Sequence, residues 1–221
     1  MRYDKINTIF KKCIYLEEDM PKVAYNEEEK VRVREKLLSS ALELMSKQGI
    51  RRTTVEQIYR SAGISRTFFY SFFPTKEDLV VEMFYLQQPR IISYAKSLME
   101  DRSLTWKEGV ERFLHDCCYG EKNGIAVMTI DEQQQLFRRL SKQSYEIFRQ
   151  RQRELFGRLL ECFGIVPERR RVELFINVSL SVMVLRKSVP EMMPMLVPEA
   201  LDETVDFQIK AIVSGLEKMR E

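Results

Sequence analysis

The chain has 221 residues, of which 44% are hydrophobic and 31% are charged, and its formal net charge is +3. This composition is that of a soluble globular protein, and so small a net charge does not by itself indicate a nucleic-acid partner. Eight glycines and seven prolines are too few for a low-complexity or loop-rich all-β chain. The apolar residues recur at helical spacing, so we predict an all-α fold.

Cysteine and histidine usage argues against a metal site. The chain has four cysteines, Cys13, Cys117, Cys118 and Cys162. They lack the paired spacing of zinc ligands, and the single histidine, His115, does not complete a site with them. We therefore expect reduced thiols, no metal and no cofactor.

The apolar segments of the chain do not predict export or membrane insertion. The N-terminus has no uninterrupted apolar signal segment. The most apolar run, residues 174–185, is too short to span a bilayer. We expect a cytoplasmic protein.

Residues 1–26 are predicted to be an N-terminal extension. Ile6, Phe10 and Ile14 recur at helical spacing, so a short amphipathic helix fits before Pro21. Two interpretations stay open. The segment is either a frayed extension or an arm that touches flanking DNA or a partner subunit.

The strongest local signal is a pair of short helices over residues 54–73, preceded by a longer helix that starts near Glu27. Thr53 or Thr54 caps the first of the pair, and Gly63 permits a left-handed turn. The remaining signals agree on where each helix begins and ends: Gly49 ends the long helix, Ser65 caps the second short helix and Pro74 ends it. This pattern is typical of a helix-turn-helix motif, which places its second helix in the major groove of DNA.

Basic residues concentrate around this motif. Between Lys30 and Lys76 there are ten basic and three acidic residues, an excess of seven positive charges, which leaves the rest of the chain at −4. A locally basic module on a mildly acidic body favours attraction to phosphates. The alternative, a solvated basic face without a partner, would be preferred if the motif were absent.

The second short helix and its flanks carry candidate DNA contacts. Its candidates for reading bases are Arg66, Thr67 and Ser71. Arginine is the most common specific reader, because its fork bonds guanine O6 and N7 together. The candidates for phosphate contact are Thr54, Tyr70 and Lys76.

Residues 30 to about 90 resemble the DNA-binding domain of the tetracycline-repressor (TetR) family of transcriptional regulators. The matching residues are Thr53-Thr54-Val55, Ile58, Ala62-Gly63-Ile64-Ser65, Phe69-Tyr70, Phe72-Phe73-Pro74 and Lys76-Glu77-Asp78-Leu79. By position, the resemblance assigns the same base-reading and phosphate-contact roles to the candidates named above. It also implies a helical homodimer, usually a repressor, that leaves its operator when a small molecule binds. We divide the chain accordingly into the extension 1–26, a DNA-binding domain 27–90 and a ligand-binding and dimerisation domain 91–221.

Phe68 departs from the family pattern, which often has threonine at this position. The ring either touches a thymine methyl group or covers the helix. We favour cover, because an aromatic residue at helical spacing is normally packed. Phe69 and Phe73, four residues apart, are predicted to lie in the core.

The remainder of the chain predicts a series of longer helices. A break or kink is expected at Pro89, and a second break at residues 120–124. The predicted helices are Leu79–Met99, Leu104–Cys118, Ala126–Leu136, Ser141–Phe163, Glu168–Lys187 and Leu201–Arg220.

Two late apolar stripes resemble in placement the helix pair that forms the family's dimer bundle. Their members are Val172, Phe175, Ile176, Ser179, Val182 and Met183, followed by Val205, Ile209, Ile212, Val213 and Leu216. The alternative is that both stripes belong to the core of the single chain. We favour the dimer, because a helix-turn-helix reader commonly binds two-fold symmetric sites.

A ligand pocket is predicted among the middle helices. Its candidate lining residues are Phe113, Cys117, Tyr119, Met128, Phe137, Phe148 and Phe156. Taken singly, each of these residues fits plain core better than a pocket wall.

The sequence therefore predicts a ligand-responsive DNA-binding regulator, associated with the nucleoid. An enzyme is not expected, since the chain has no nucleophile elbow, no phosphate-binding glycine loop and a single histidine. The alternative is a DNA-binding adaptor whose C-terminal domain binds another protein. An enclosed cavity would favour the first hypothesis, and a solid core with a large exposed apolar patch would favour the second.

Overall fold

The computed structural model describes residues 26–119, 127–189 and 195–220. Within these ranges the chain forms nine α-helices and one short 3-10 helix, and no strand. The predicted all-α class is confirmed. The predicted N-terminal helix and the predicted break at 120–124 lie outside the described residues.

The chain divides into two compact units, residues 1–33 and residues 34–221. In the first unit, the described residues 26–33 begin helix α1, Glu27–Gln48. Asn26 caps it: the Asn26 Oδ1 atom accepts the Glu29 N–H at 2.8 Å, and the Glu29 carboxylate accepts the Asn26 N–H at 2.9 Å. All structure described below belongs to the second unit.

The next two helices are short and capped as predicted. Helix α2 is Val55–Ala62 and helix α3 is Arg66–Phe72. Thr54, rather than Thr53, caps α2, because the Thr53 side chain is fully buried and donates to the Gly49 carbonyl at 2.8 Å. Ser65 caps α3.

The longer helices follow in the predicted order. They are α4 Lys76–Glu100, α5 Trp106–Cys118, α6 Ile130–Arg139, α7 Lys142–Cys162, α8 Arg169–Ser188 and α9 Leu201–Glu217, with the 3-10 helix Pro198–Ala200 before α9. Of the kink or break predicted at Pro89, the break is wrong, since α4 is continuous across this residue. Proline removes one hydrogen bond there, and packing along the rest of α4 against α5 and α7 retains the helix. Helix α6 starts four residues later than predicted, because Thr129 and Glu132 form a capping box.

The large core is built by α4, α5, α7, α8 and α9, which pack against one another. Both predicted dimer stripes are part of it. Their buried members are Val172, Phe175, Ser179, Val182, Met183, Val205, Ile209, Val213 and Leu216, with Ile176 and Ile212 packed at the edge. For these buried members the alternative is confirmed, because they belong to the core of the single chain, whereas the partly buried Ile212 also borders an outward-facing groove. The helical period identified an apolar stripe, but it could not distinguish a core within one chain from a core between two.

No helix in the described ranges is long and apolar enough to cross a membrane.

Candidate nucleic-acid interface and ligand cavity

Local hydrogen bonds and one left-handed residue fix the two ends of α2. The Thr54 hydroxyl accepts the Gln57 N–H at 3.1 Å, and the Gln57 side chain accepts the Thr54 N–H at 2.8 Å. Gly63 has φ of 69°, a left-handed conformation that strains any residue with a Cβ. Its N–H donates to the Arg60 carbonyl at 3.0 Å, which closes the helix and turns the chain toward α3.

Two buried phenylalanines anchor helix α3. Phe69 and Phe73 have exposed fractions of 0% and 2%, with ring centroids 6.0 Å apart, as predicted for core residues. Because they hold one side of α3 against the domain, the opposite side faces solvent. The predicted base readers Arg66, Thr67 and Ser71 all lie on this exposed side.

The exposed side of α3 is partly organised by its own contacts. The Arg66 guanidinium lies 5.9 Å from the ring centroid of Tyr70, which is itself exposed. The Ser71 hydroxyl donates to the Phe68 carbonyl at 2.7 Å, so its oxygen is presented outward as an acceptor. The exposed side of α3 therefore carries a charged hydrogen-bond donor, the Arg66 guanidinium, and a hydrogen-bond acceptor, the Ser71 hydroxyl oxygen.

Phe68 packs within its own helix. Its ring meets Phe72 edge-to-face with centroids 5.0 Å apart, and it is half-buried. This contact supports the predicted role of Phe68 as cover for α3.

The side chain of Lys76, at the start of α4, is partly buried, whereas the sequence suggests an exposed lysine. Its Nζ donates to the Ile50 carbonyl at 2.6 Å, and burial lowers the pKa of the lysine from its ordinary value. An ammonium has three donors, so this bond leaves capacity for a phosphate oxygen. The same bond fastens the loop between α1 and α2.

Helix α6 holds that loop from the other side. The Glu132 carboxylate is buried, and one oxygen accepts the Arg51 N–H at 2.6 Å while the other accepts the Thr129 N–H at 2.9 Å. A second link joins the Arg139 guanidinium to Glu77 on α4 at 2.6 Å. These contacts were missed from sequence, because their partners lie 81 and 62 positions apart in the chain.

A partly enclosed cavity lies among α4, α5, α6, α7 and α8, with about 770 Å³ of space, including open solvent, between the protein atoms. Six predicted residues line it: Phe113, Cys117, Met128, Phe137, Phe148 and Phe156. The predicted Tyr119 does not. It follows the last residue of α5, where its ring stacks on His115 at 4.4 Å and its hydroxyl donates to Asp202 at 2.7 Å.

Several lining residues were not predicted. Helix α4 contributes Phe84, Gln87 and Ile91, and the amides of Gln133 and Gln152 come from α6 and α7. No sequence pattern distinguishes these glutamines from exposed ones, because their place in the wall depends on how separate helices pack. Among the described lining residues, none carries a formal charge.

Burial keeps the adjacent thiols of Cys117, which lines the cavity, and Cys118, which does not, in the neutral form. Burial raises the pKa of Cys117 above its ordinary value and raises the pKa of Cys118 to about 12. Neither thiol is therefore a thiolate near neutral pH. In the ranges that the structure describes, no group of three His, Cys, Asp or Glu residues is arranged to hold a metal ion.

Residues 37–83, which contain α2 and α3, match the family model described as bacterial regulatory proteins of the tetR family. This segment is a TetR-family DNA-binding domain. The resemblance stated from the sequence is confirmed, and the helix-turn-helix is that of a DNA-binding transcriptional regulator. No curated protein matches the chain.

Three solved structures, two of them of TetR-family transcriptional regulators, share the fold of most of the chain. A TetR-family transcriptional regulator from Pectobacterium atrosepticum is 15% identical, with a TM-score of 0.59 over 87% of this chain and 97% of that one. The reduced form of NemR from E. coli is 12% identical, with a TM-score of 0.52 over 85% and 96%. A TetR-family regulator from Streptomyces coelicolor is 15% identical, with a TM-score of 0.51 over 86% and 96%. At these identities the likeness shows the fold, a small TetR-type DNA-binding domain followed by a larger helical domain.

The outward side of α8 and α9 of this TetR-type fold forms an exposed apolar groove. Its most exposed large side chain is Phe207, at 75%. The groove also contains Val178, Ser181, Val184, Leu185, Ala211 and Ile212. An aromatic ring this exposed on a helix face is typical of a surface that contacts a partner.

Proposed function

We propose that this protein is a homodimeric repressor that binds a two-fold symmetric operator and is released by a small, largely apolar ligand. One observation carries the proposal. Helix α6 supplies Gln133 and Phe137 to the cavity wall, and its Glu132 holds the Arg51 backbone of the DNA-binding segment. A ligand that favours another position of α6 would change the populations of the DNA-binding conformations.

In this proposal the exposed side of α3 reads the operator. Arg66, Thr67 and Ser71 contact base edges, and Thr54, Tyr70 and Lys76 contact phosphates. The exposure of Arg66, Thr67, Tyr70 and Ser71 on α3 supports these roles, as do the places of Thr54 and Lys76 at the starts of α2 and α4. The base-reading residues set the sequence preference, and the phosphate contacts set the register on DNA.

The groove on α8 and α9 is proposed to hold a second copy of the same groove. A two-fold dimer buries one patch against itself, and two DNA-binding domains then address two half-sites. The half-sites are expected about one helical turn of DNA, or a multiple of it, apart.

Selection of genomic fragments by the purified protein tests the DNA-binding function. We expect the bound fragments to share a sequence with two-fold symmetry. The recovered site is then placed upstream of a reporter gene, where the protein should lower expression. A footprint without symmetry would contradict the dimeric operator, and raised expression would contradict repression.

A thermal-shift screen with uncharged and charged hydrophobic compounds tests the ligand. Binding to the folded state raises the melting temperature with ligand concentration. Gln152→Trp, which fills part of the cavity, should abolish the shift. The matched variant Gln150→Trp lies on the exposed side of the same helix and should retain it.

A further inference from the structure

A second, more open cavity adjoins the apolar one. It has about 1230 Å³ of space, including open solvent, and lies between the facing sides of α7 and α8. The two cavities share the lining residues Gln133, Phe137, Phe148, Gln152 and Leu180. We call the second cavity the mouth, because it lies between the shared residues and solvent.

Charge distinguishes the mouth from the inner cavity. Arg149 and Arg153 lie four residues apart on α7, and Arg169 and Glu173 lie four apart on α8. These are the charged residues among the described lining of the mouth, and together they carry a formal charge of +2. The neighbouring arginines, Arg169 first, hold the pKa of Glu173 below its ordinary value. Glu173 is therefore ionised near neutral pH, and the formal charge of +2 includes its negative charge.

Arg153 is the most sheltered of the three arginines. Its side chain is 26% exposed, compared with 81% for Arg169. Its Nε lies 3.5 Å from the Glu173 carboxylate, which is closer to Arg169, at 3.1 Å. A guanidinium carries five N–H donors, so this single ion pair through Nε leaves a fork that fits a second carboxylate.

We propose that the ligand of this protein is an amphipathic anion, with an apolar body in the inner cavity and a carboxylate at Arg153 in the mouth. The inference rests on the proposed ligand-binding function and specifies its ligand class. An uncharged apolar molecule would use only the inner cavity. A cationic amphiphile would meet the positive mouth and be repelled.

Three probes of equal chain length test the class: decanoate, decanol and decyltrimethylammonium, each below its micelle-forming concentration. Isothermal titration calorimetry of the full chain measures each affinity. Decanoate should bind roughly tenfold or more tightly than decanol, because it adds a charge-assisted hydrogen bond in a sheltered site. The preference should shrink as salt is raised, and the cation should bind most weakly.

The Arg153→Gln variant measures the contribution of the carboxylate to affinity separately from that of the apolar body. It should remove most of the preference for decanoate and leave decanol affinity unchanged. Arg158→Gln, an exposed position on the same helix outside both linings, should behave as the wild type. The melting temperature without ligand measures whether the Arg153→Gln protein is less stable than the wild type. If it is, Arg169→Gln gives the same comparison at a more exposed position, and the expected loss of the preference for decanoate is smaller.

The outcomes distinguish this inference from the proposed function. Equal binding of decanoate and decanol would overturn the anionic class and still support the inner cavity as a ligand site. Retention of the full decanoate preference in Arg153→Gln would overturn the assigned head-group position. Binding of none of the three probes would overturn the amphiphile, while operator binding is measured separately by fragment selection.

Discussion

The Glu132 carboxylate lies 2.6 Å from the backbone nitrogen of Arg51, a residue 81 positions earlier in the chain. The same carboxylate closes the capping box at the start of α6, so one side chain both starts that helix and fixes the loop between α1 and α2. Because the carboxylate is buried, its hydrogen bonds are not readily replaced by water. This contact joins the cavity wall to the DNA-binding segment.

Replacing Glu132 with alanine should destabilise the protein. The change leaves the Arg51 and Thr129 N–H groups without their acceptor, at a cost of about 1–3 kcal/mol. Urea unfolding at neutral pH measures the loss. Gln134→Ala, on the exposed side of α6, should change stability by less than about 0.5 kcal/mol. Equal effects of the two substitutions would contradict a structural role for the Glu132 contact.

Replacing Arg66 with alanine should relax the sequence preference of the protein. Loss of a bidentate contact to guanine costs about 1–3 kcal/mol and affects one position in each half-site. Binding to a set of single-base operator variants, measured by fluorescence anisotropy, identifies that position. Arg60→Ala on α2, where Arg60 pairs with Glu56, provides the control and should retain the preference. A uniform loss across all variants would instead indicate a phosphate contact.

Replacing Lys76 with alanine should affect DNA binding and stability together. Specific and non-specific affinity should both fall, and the slope of log affinity against log salt should decrease by about one unit. Stability should also fall, since the Ile50 carbonyl loses its donor. Lys47→Ala, an exposed lysine paired with Glu43, is the matched control. An unchanged salt slope with lowered stability would assign Lys76 a structural role alone.

Replacing Phe207 with glutamate should produce a monomer. The charge would be buried in the proposed dimer without a partner, which strongly disfavours association. Analytical ultracentrifugation measures the oligomeric state, and operator affinity should fall in parallel. Val166→Glu introduces the same charge at an exposed position in the loop between α7 and α8 and should leave the dimer intact. A dimeric Phe207→Glu protein would require another interface.

The three cysteines in the described ranges should differ in reactivity. Burial raises the pKa of Cys117 and Cys118 strongly, whereas Cys162 is only partly buried. At pH 8 iodoacetamide should modify Cys162 first, because alkylation needs both thiolate and access. Peptide mapping follows each site. In urea all three should react at similar rates, and faster labelling of Cys117 in the folded protein would contradict its place in the cavity wall.

The helix-turn-helix was predictable because its signals are local. The capping bonds of Thr54 and Ser65 reach three residues along the chain, and the left-handed turn at Gly63 is set by a single residue type. The exposed side of α3 followed from the four-residue spacing of Phe69 and Phe73. The degree of burial of Lys76 could not be predicted in this way, because its partner, the Ile50 carbonyl, lies 26 residues away in the chain.

The cavity was predictable only in part. Aromatic and sulfur-containing residues on α5, on α6 and just before it, and on α7 were identified by their apolar character, but the polar Gln133 and Gln152 were not. Tyr119 was misplaced because it lies beyond the last turn of α5, where the helical period no longer determines its direction.

The sequence by itself determined the helical class, the caps of α2 and α3, and the family of the DNA-binding segment. Each of these depends on residues within one helix or one turn. The tertiary structure decided that the stripes on α8 and α9 belong to the chain's own core, that Glu132 reaches Arg51, and that three arginines meet at the mouth of the cavity. Those relations depend on how distant helices pack, and helical periodicity describes only the face of a single helix.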